Sequence, residues 1–385
     1  VSAVSQRQAV AAAAGVPRRG AYDTQLALAA LALLGVGLVM VASASVSIAD
    51  REFQAPFHYF IRQLAFVSVG LLAAGIAMRL PLATWERTSV GLLLLGLLLL
   101  AAVLVPGVGR EVNGSARWLR LGAVNVQASE PMKLFLVLYL AGYLVRRSAQ
   151  VRGTIGGFLK PLLLLLLIAV LLLMEPDYGA TVVLFATALG MLFLGGVSIV
   201  SFVTWLMLTA LFLGGLLLAS PYRLERLTAF LNPWADPFDT GFQLTQALIA
   251  IGRGGWLGVG LGESVQKLFY LPEAHTDFIF AVLAEELGFV GMTAVIGLFA
   301  FITWRAFAIA RRAELAGLRF GAYLAYGIGL LVCLQAFINV GVNMGVLPTK
   351  GLTLPLISYG GSSVVISCLA LGLLLRVDHE ARVAR

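Results

Sequence analysis

The chain has 385 residues, of which 60% are hydrophobic and 12% charged, and its mean hydropathy is +0.95. Soluble globular domains carry about 25% charged residues, so this composition excludes a soluble enzyme and points to a single polytopic membrane domain. The net charge of +8 does not indicate a nucleic-acid partner: the basic residues are dispersed among short loops beside apolar runs, where positive-inside sorting accounts for them.

In chain order, residues 1–20 have too little apolar bulk to pack and read as a mobile cytoplasmic tail. Arg18 and Arg19, the run Leu26–Val41 and the small triplet Ala42-Ser43-Ala44 imitate a signal peptide. That leader would be unusually long, and its removal would upset the charge arrangement of what remains, so the first span is expected to stay. The sequence predicts an all-α polytopic membrane protein with about ten transmembrane helices, at 26–46, 59–78, 89–106, 131–145, 160–174, 180–196, 199–219, 278–304, 321–346 and 356–376. An even number places both termini on one side. If that side is cytoplasmic, it holds most of the 27 Lys and Arg, including Arg146, Arg147, Arg311 and Arg312. Cys333 and Cys368 lie within apolar runs and read as small core residues.

Between the seventh and eighth spans lies one long exterior segment, 220–277. Trp234, Phe238, Phe242, Trp256 and the stretch Leu244–Ile251 make it too apolar for a disordered linker, so it is expected to lie folded along the membrane surface. Its glycine-rich part, "RGGWLGVGLGES", lacks the ending and the preceding strand of a P-loop, and predicts tight turns or close backbone approach instead.

Three stretches could carry chemistry. "YLPEAHTDFIFAVLAEELG" gathers Glu273, His275, Asp277, Glu285 and Glu286 beside an apolar run. Leu287–Trp304 alone can cross the hydrocarbon core, so Asp277 stands outside it, near a helix start with Thr276 as the expected N-cap. The plainer alternative for Asp277 is an acidic helix N-terminus that satisfies the dipole. Helical spacing turns Glu285 and Glu286 to other faces, where they read as anchors within the bundle. "REVNGSARWLRLGAVNVQASEPMKL" supplies Arg117, Trp118, Arg120 and Lys133. These make either an ordinary interfacial belt or, since Arg is disfavoured on the outer face, a site for an anion. "NVGVNMGVLPTKGLTLPLISYGGSS" brackets Lys350 with Pro348 and Pro355 and opens the last span with Ser358, Tyr359, Gly360 and Gly361. Irregular backbone of this kind is tolerated at membrane depth only inside protein or against a cavity, and the two glycines read as close-packing residues. HExxH, CxxC and GxSxG devices are absent from the sequence. The remaining pattern, one carboxylate among outward-facing cations, suits deprotonation of a hydroxyl nucleophile while an anionic lipid-linked leaving group is held.

These stretches, with "LPEAHTDFIFAVLAEELG", "LPTKGLTLPLISYGGSS" and "NGSARWLRLG…QASEPMKL" as the specific motifs, resemble the shape, elongation, division and sporulation (SEDS) proteins over essentially all ten spans, and the division branch more than the elongation branch. The resemblance implies a single transmembrane domain over 21–385 that polymerises lipid II into glycan strands on the outer face of the cytoplasmic (inner) membrane, at the division septum. It implies an FtsI-like class B penicillin-binding transpeptidase as partner, with the divisome proteins FtsQ, FtsL and FtsB and membrane lipids around it, and no nucleic acid. By the same resemblance Asp277 is the essential aspartate, and Arg117, Trp118, Lys133 and Lys350 are the family's exterior basic and aromatic positions. Arg120, Glu273, His275 and Ser358 are added as expected substrate or diphosphate contacts. A divalent cation, magnesium or manganese, is implied as cofactor, although no dedicated metal cage can be read from the sequence. Two alternatives stand beside the polymerase: a lipid II flippase, and a non-catalytic scaffold that recruits the transpeptidase.

Overall fold

A computed structural model describes residues 22–112, 115–122, 124–153, 155–197, 199–218, 230–239, 241–348 and 351–384. The tail 1–20 and Lys350 lie outside the described residues. Helices α1 (Thr24–Phe53), α2 (His58–Arg79) and α3 (Leu82–Val103) are followed by strands β1 (Gly109–Val112), β2 (Ser115–Leu121) and β3 (Val124–Gln127). Then come α4 (Ser129–Arg146), the short α5 (Ser148–Gly153), α6 (Ile155–Met174), α7 (Tyr178–Leu194) and α8 (Ile199–Leu218). The long segment holds a 3-10 turn (Pro233–Ala235) and α9 (Phe242–Gly254), and the chain ends in α10 (Ile279–Leu315), α11 (Arg319–Asn343) and α12 (Gly361–Val383).

Among the described residues, six helices (α1, α2, α3, α10, α11 and α12) are long and apolar enough to cross a membrane, and two shorter apolar helices cover Leu159–Met174 and Tyr178–Leu194. Helices satisfy their own backbone groups, as hydrocarbon surroundings demand. α4 is less apolar, carrying Glu130, Lys133 and Arg146, yet Glu130 and Lys133 are buried, along with nearly the whole of the helix. Protein, not lipid, surrounds it. α11 and α12 are the more buried of these helices, and small residues let α2 lie close on α12: a Cβ on Gly372 would stand 2.7 Å from the Ala74 backbone, and one on Gly361 would stand 2.6 Å from the Phe66 ring.

The small antiparallel sheet, ordered β1-β2-β3, departs from the all-helical expectation. Asn113-Gly114 between alternating residues is a hairpin signal, and Gly122 adopts φ +63° at the second turn. The alternation of β2 puts Arg117 and Leu119 on one face and Trp118 and Arg120 on the other.

α10 is broken at Gly288, whose φ is +65° and ψ −163°. The glycine-rich stretch fills the break. The amides of Val259 and Gly260 donate to the carbonyls of Glu285 and Glu286 at 3.0 and 3.1 Å. Below the break, Phe289 and Val290 donate to the carbonyls of Gly255 and Trp256 at 2.9 and 3.1 Å. The loop thus pairs four backbone groups freed by the kink, and this close approach explains why glycines crowd that stretch: a Cβ on Gly258 would collide with the Glu286 carbonyl, and one on Gly288 would stand 2.3 Å from the Gly258 nitrogen.

The two ends of the bundle differ. One, the terminal face, carries an ion network in which Asp23, the N-cap of α1, meets Arg305 and Arg312, and Asp378 meets Arg312 and Arg382. The other, the loop face, carries the sheet, the 230–278 segment and the 344–360 connection.

Candidate active site

Four loop-face segments meet around Asp277: the turn 175–177 between α6 and α7, the sheet, the residues before α10, and the irregular stretch 351–360. Asp277 precedes α10 instead of standing in its first turn, and Thr276 does not cap the helix; its hydroxyl donates to the Glu273 carboxylate at 2.6 Å. The cap comes from a different helix: Asn343 Oδ1 accepts from the amide of Ala281 at 3.1 Å. The main-chain carbonyl of Asp277 is gripped from α11 as well, by Asn339 Nδ2 at 2.9 Å and Asn343 Nδ2 at 3.1 Å.

Those bonds fix the backbone and leave the side chain outward. Among the described residues the Asp277 carboxylate is half-buried and makes no hydrogen bond or ion pair. Its Oδ2 faces Gly351, where a Cβ would stand at 3.0 Å. Burial pushes its pKa up to about 7, helped by the negative charges of Glu273 and Asp177 and opposed by Arg117. A carboxylate poised near neutrality is suited to general-base work.

Arg117 is held by main chain: Nε donates to the Glu175 carbonyl at 3.0 Å and Nη2 to the Pro176 carbonyl at 2.7 Å. Two carbonyls take up part of the fork and leave the positive charge uncancelled. Asp177 caps α7 through the Ala180 amide at 3.1 Å and accepts from Gln127 and Ser129 at 3.2 and 2.9 Å, so it ties the turn to the sheet and to α4. Beside it Glu175 is fully buried, with neither carboxyl oxygen hydrogen-bonded among the described residues. Burial and the Asp177 charge push its pKa up to about 8 against Arg117, so it is chiefly protonated at neutral pH. The sequence reading passed over both acids. The signal was there, in "EPDYG" between two apolar runs: two carboxylates in a turn too short to be an ordinary solvated loop.

Several expected contacts are placed differently. Lys133 is 1% exposed and donates to the Glu130 carboxylate at 3.0 Å and to Gln335 at 2.8 Å, so its ammonium is engaged inside the protein between α4 and α11. Arg120 is exposed on the opposite face of β2 from Arg117, and Trp118 shares that opposite face. The Ser358 hydroxyl is buried and occupied, donating to the Thr276 carbonyl at 2.6 Å and accepting from the Leu354 amide at 2.8 Å. It pins the irregular stretch to the Asp277 segment. His275 is buried with its ring 4.7 Å from that of Tyr59 and 5.6 Å from that of Tyr359, and burial depresses its pKa. Glu273, at φ +56°, is partly exposed and acts on Asp277 through its charge.

Glu285 and Glu286 are both fully buried and both paired. Glu285 accepts from Arg253 at 2.7 Å, Ser264 at 2.5 Å and the amides of Val265 and Gln266 at 3.2 and 3.3 Å. Glu286 accepts from Ser43 on α1 at 2.6 Å and from Lys267 at 2.8 Å. They fasten the long segment to α10 and α1, while Asp277 is left open.

Residues 24–383 match the model of a family described as cell cycle protein, that of FtsW, RodA and SpoVE. The chain is 61% identical over 358 residues to a probable peptidoglycan glycosyltransferase FtsW of Thioalkalivibrio sulfidiphilus, covering 93% of this chain and 90% of that one. It superposes with TM-score 0.78 and 32% identity on a chain from a study of structural coordination of polymerization and crosslinking by a peptidoglycan synthase complex, covering 94% of this chain and 98% of that one. The crystal structure of the rod shape determining protein RodA of Thermus thermophilus is similar at TM-score 0.69 and 30% identity, with the same coverage.

Proposed function

The chain belongs to the FtsW, RodA and SpoVE family of cell cycle proteins, and from that premise we propose that this peptidoglycan glycosyltransferase polymerises lipid II, with Asp277 as its general base. The observation that carries the reading is the Asp277 carboxylate itself: backbone clamped by Asn339 and Asn343, side chain unpaired among the described residues, and pKa near neutrality. Asp277 takes the proton from the sugar 4-hydroxyl of an incoming lipid II as that oxygen attacks the anomeric carbon of the growing glycan. The new bond joins O4 to C1; the C1–O bond to the undecaprenyl diphosphate breaks, and its electron pair leaves with the diphosphate. A diphosphate is a good enough leaving group to need no acid of the glycosidase kind. Arg117 is the described cation placed to stabilise charge there, and Lys350 is proposed to join it. General-base help of this kind typically contributes 10²–10⁴-fold.

The described residues include no group of three His, Cys, Asp or Glu side chains that could hold a metal ion, so they do not fit a resident metal cage. We propose that a divalent cation, where one takes part, arrives with the diphosphate, as magnesium commonly does. The terminal face, with Arg305, Arg312, Arg376 and Arg382, is proposed to be cytoplasmic, and Asp277 accordingly extracytoplasmic, at the septal inner membrane. A crosslinking transpeptidase is the proposed partner, supported by the similarity to a chain of a polymerising and crosslinking complex.

Labelled lipid II given to the purified protein in detergent tests the reading. Polymer should form with the native chain and not with Asp277→Asn. A flippase or a non-catalytic scaffold would form none with either chain.

A further inference from the structure

Away from Asp277, a cavity of about 510 Å³ opens between α1 and residues 261–268. Its α1 wall is a single helical stripe, Val39, Ala42, Ser43, Val46 and Ser47, spaced for one face. Depth follows from the helix rise. α1 begins at Thr24 in the terminal-face ion network, and a 30 Å hydrocarbon core takes about 20 residues at 1.5 Å each. The boundary on the loop face therefore falls near Ala44, and Asp50, Arg51 and Glu52 stand beyond it. The cavity straddles the level at which lipid headgroups meet their acyl chains.

The lining changes character along that axis. Val39 at 50%, Leu261 at 58% and Leu268 at 45% are exposed apolar groups that no part of the described chain covers. Above and behind them stand polar groups of both signs. Lys267 reaches Ser43 at 2.9 Å and Glu286 at 2.8 Å, which uses two of its three ammonium hydrogens. The Ser47 hydroxyl and the exposed Glu263 carboxylate have no hydrogen bond among the described residues, and Arg51, one turn above Ser47, lies over the Phe269 ring at 4.9 Å. A transmembrane helix, about 10–12 Å across, needs a groove running the depth of the bilayer. This space suits a headgroup and the first part of its chains.

We propose that this cavity binds one phospholipid of the loop-face leaflet whose headgroup carries both a phosphate and a primary ammonium. The phosphate meets Ser47, the free Lys267 hydrogen and Arg51; the ammonium meets Glu263; and the acyl chains run down Val39, Leu261 and Leu268. Lys267 and Arg51 are balanced by Glu286 and Glu263, and a site with no net charge suits a zwitterionic headgroup better than a purely anionic one. The bound lipid would brace the segment that Ser264 and Lys267 tie to Glu285 and Glu286 just before the break in α10, eight and nine residues after Asp277 in sequence.

The test is native mass spectrometry of the full chain released from nanodiscs containing equal parts phosphatidylethanolamine, phosphatidylglycerol and phosphatidylcholine. One phosphatidylethanolamine should be retained per chain. Its preference over the other two should be roughly two- to fivefold, the worth of one exposed ion pair. Glu263→Gln, on an exposed side chain, should abolish the preference while a lipid is still retained. Ser47→Trp should lose the lipid, and Leu98→Trp, on another lipid-facing surface, should keep it; a circular-dichroism melt confirms that each variant is folded. Retention without headgroup preference, preference for phosphatidylglycerol, unchanged retention in Ser47→Trp, or displacement by a co-purified partner helix would each overturn the proposal.

Discussion

Asn339 donates its side-chain amide to the main-chain carbonyl of Asp277 at 2.9 Å across 62 positions of sequence, and a second bond to the carbonyl of Leu352. One amide thus fixes the backbone of the proposed base and that of the irregular stretch facing it. Asn343, one turn on, repeats the grip on Asp277 and caps α10. α11 is in this sense the ruler against which the carboxylate is set.

Asn339→Ala should therefore lower the polymerisation rate by about 10–100-fold, the scale of a displaced catalytic group, with lipid II binding and the pH profile's shape retained. Single-turnover kinetics at saturating lipid II distinguishes this from lost affinity. An unchanged rate would mean that the clamp is structural only.

The base should also leave its mark on the pH dependence. The proposed general base must be ionised to act, and the pKa of Asp277 lies near 7, so the rate should fall about tenfold per pH unit below that point and level off above it. Arg117 opposes the upward shift, so Arg117→Ala should move the limb to higher pH in addition to slowing the reaction. Arg117→Lys should not restore the native profile, because an ammonium cannot bridge the Glu175 and Pro176 carbonyls as the guanidinium does.

The same shift carries a stability consequence of opposite sign. The folded pKa of Asp277, about 7, exceeds its ordinary 3.8. The unfolded chain therefore loses this proton first as pH rises, and the side chain progressively destabilises the fold between roughly pH 4 and 7. Asp277→Asn should be more thermostable than the native chain at pH 8, by on the order of 1 kcal/mol or more, and lose that advantage at pH 4. Thermal melts in detergent at the two pH values check this; equal melting at pH 8 would mean that the carboxylate is compensated.

Much of this was legible in the sequence, for physical reasons. Apolar runs of membrane length had to become helices, and the helices found lie where those runs are. The sequence expectation that Glu285 and Glu286 are anchors holds, since they are spent on Arg253, Ser264, Lys267 and Ser43, although Asp277 lies before α10 and helical spacing does not itself set it apart from them. What escaped depends on pairings that no local pattern encodes. Lys133 looks like an available cation until Gln335, 202 positions away, is seen to hold it. Ser358 looks like a ligand contact until its hydroxyl is seen to donate to the Thr276 carbonyl. The sheet is faint in the sequence because its strands are short and its basic residues interrupt the apolar alternation, which separates Arg117 from Arg120.

The broken helix makes a separate prediction. Gly288→Ala and Gly258→Ala each force a Cβ against backbone at a positive φ, and should cost several kcal/mol, enough to prevent accumulation of folded protein. Gly252→Ala, in α9 with open space at its Cβ, should be neutral or stabilising by about 0.5–1 kcal/mol. Melting temperatures of the three variants decide; tolerance at Gly288 would remove the loop's role in closing the break.

The most direct measurement of the central claim is glycan synthesis from labelled lipid II by the purified chain and by Asp277→Asn in detergent, with lipid II binding measured on the same preparations. Polymer from the native chain, with binding but no polymer from the variant, is the predicted result. Normal polymer length and rate from a folded Asp277→Asn protein would contradict it.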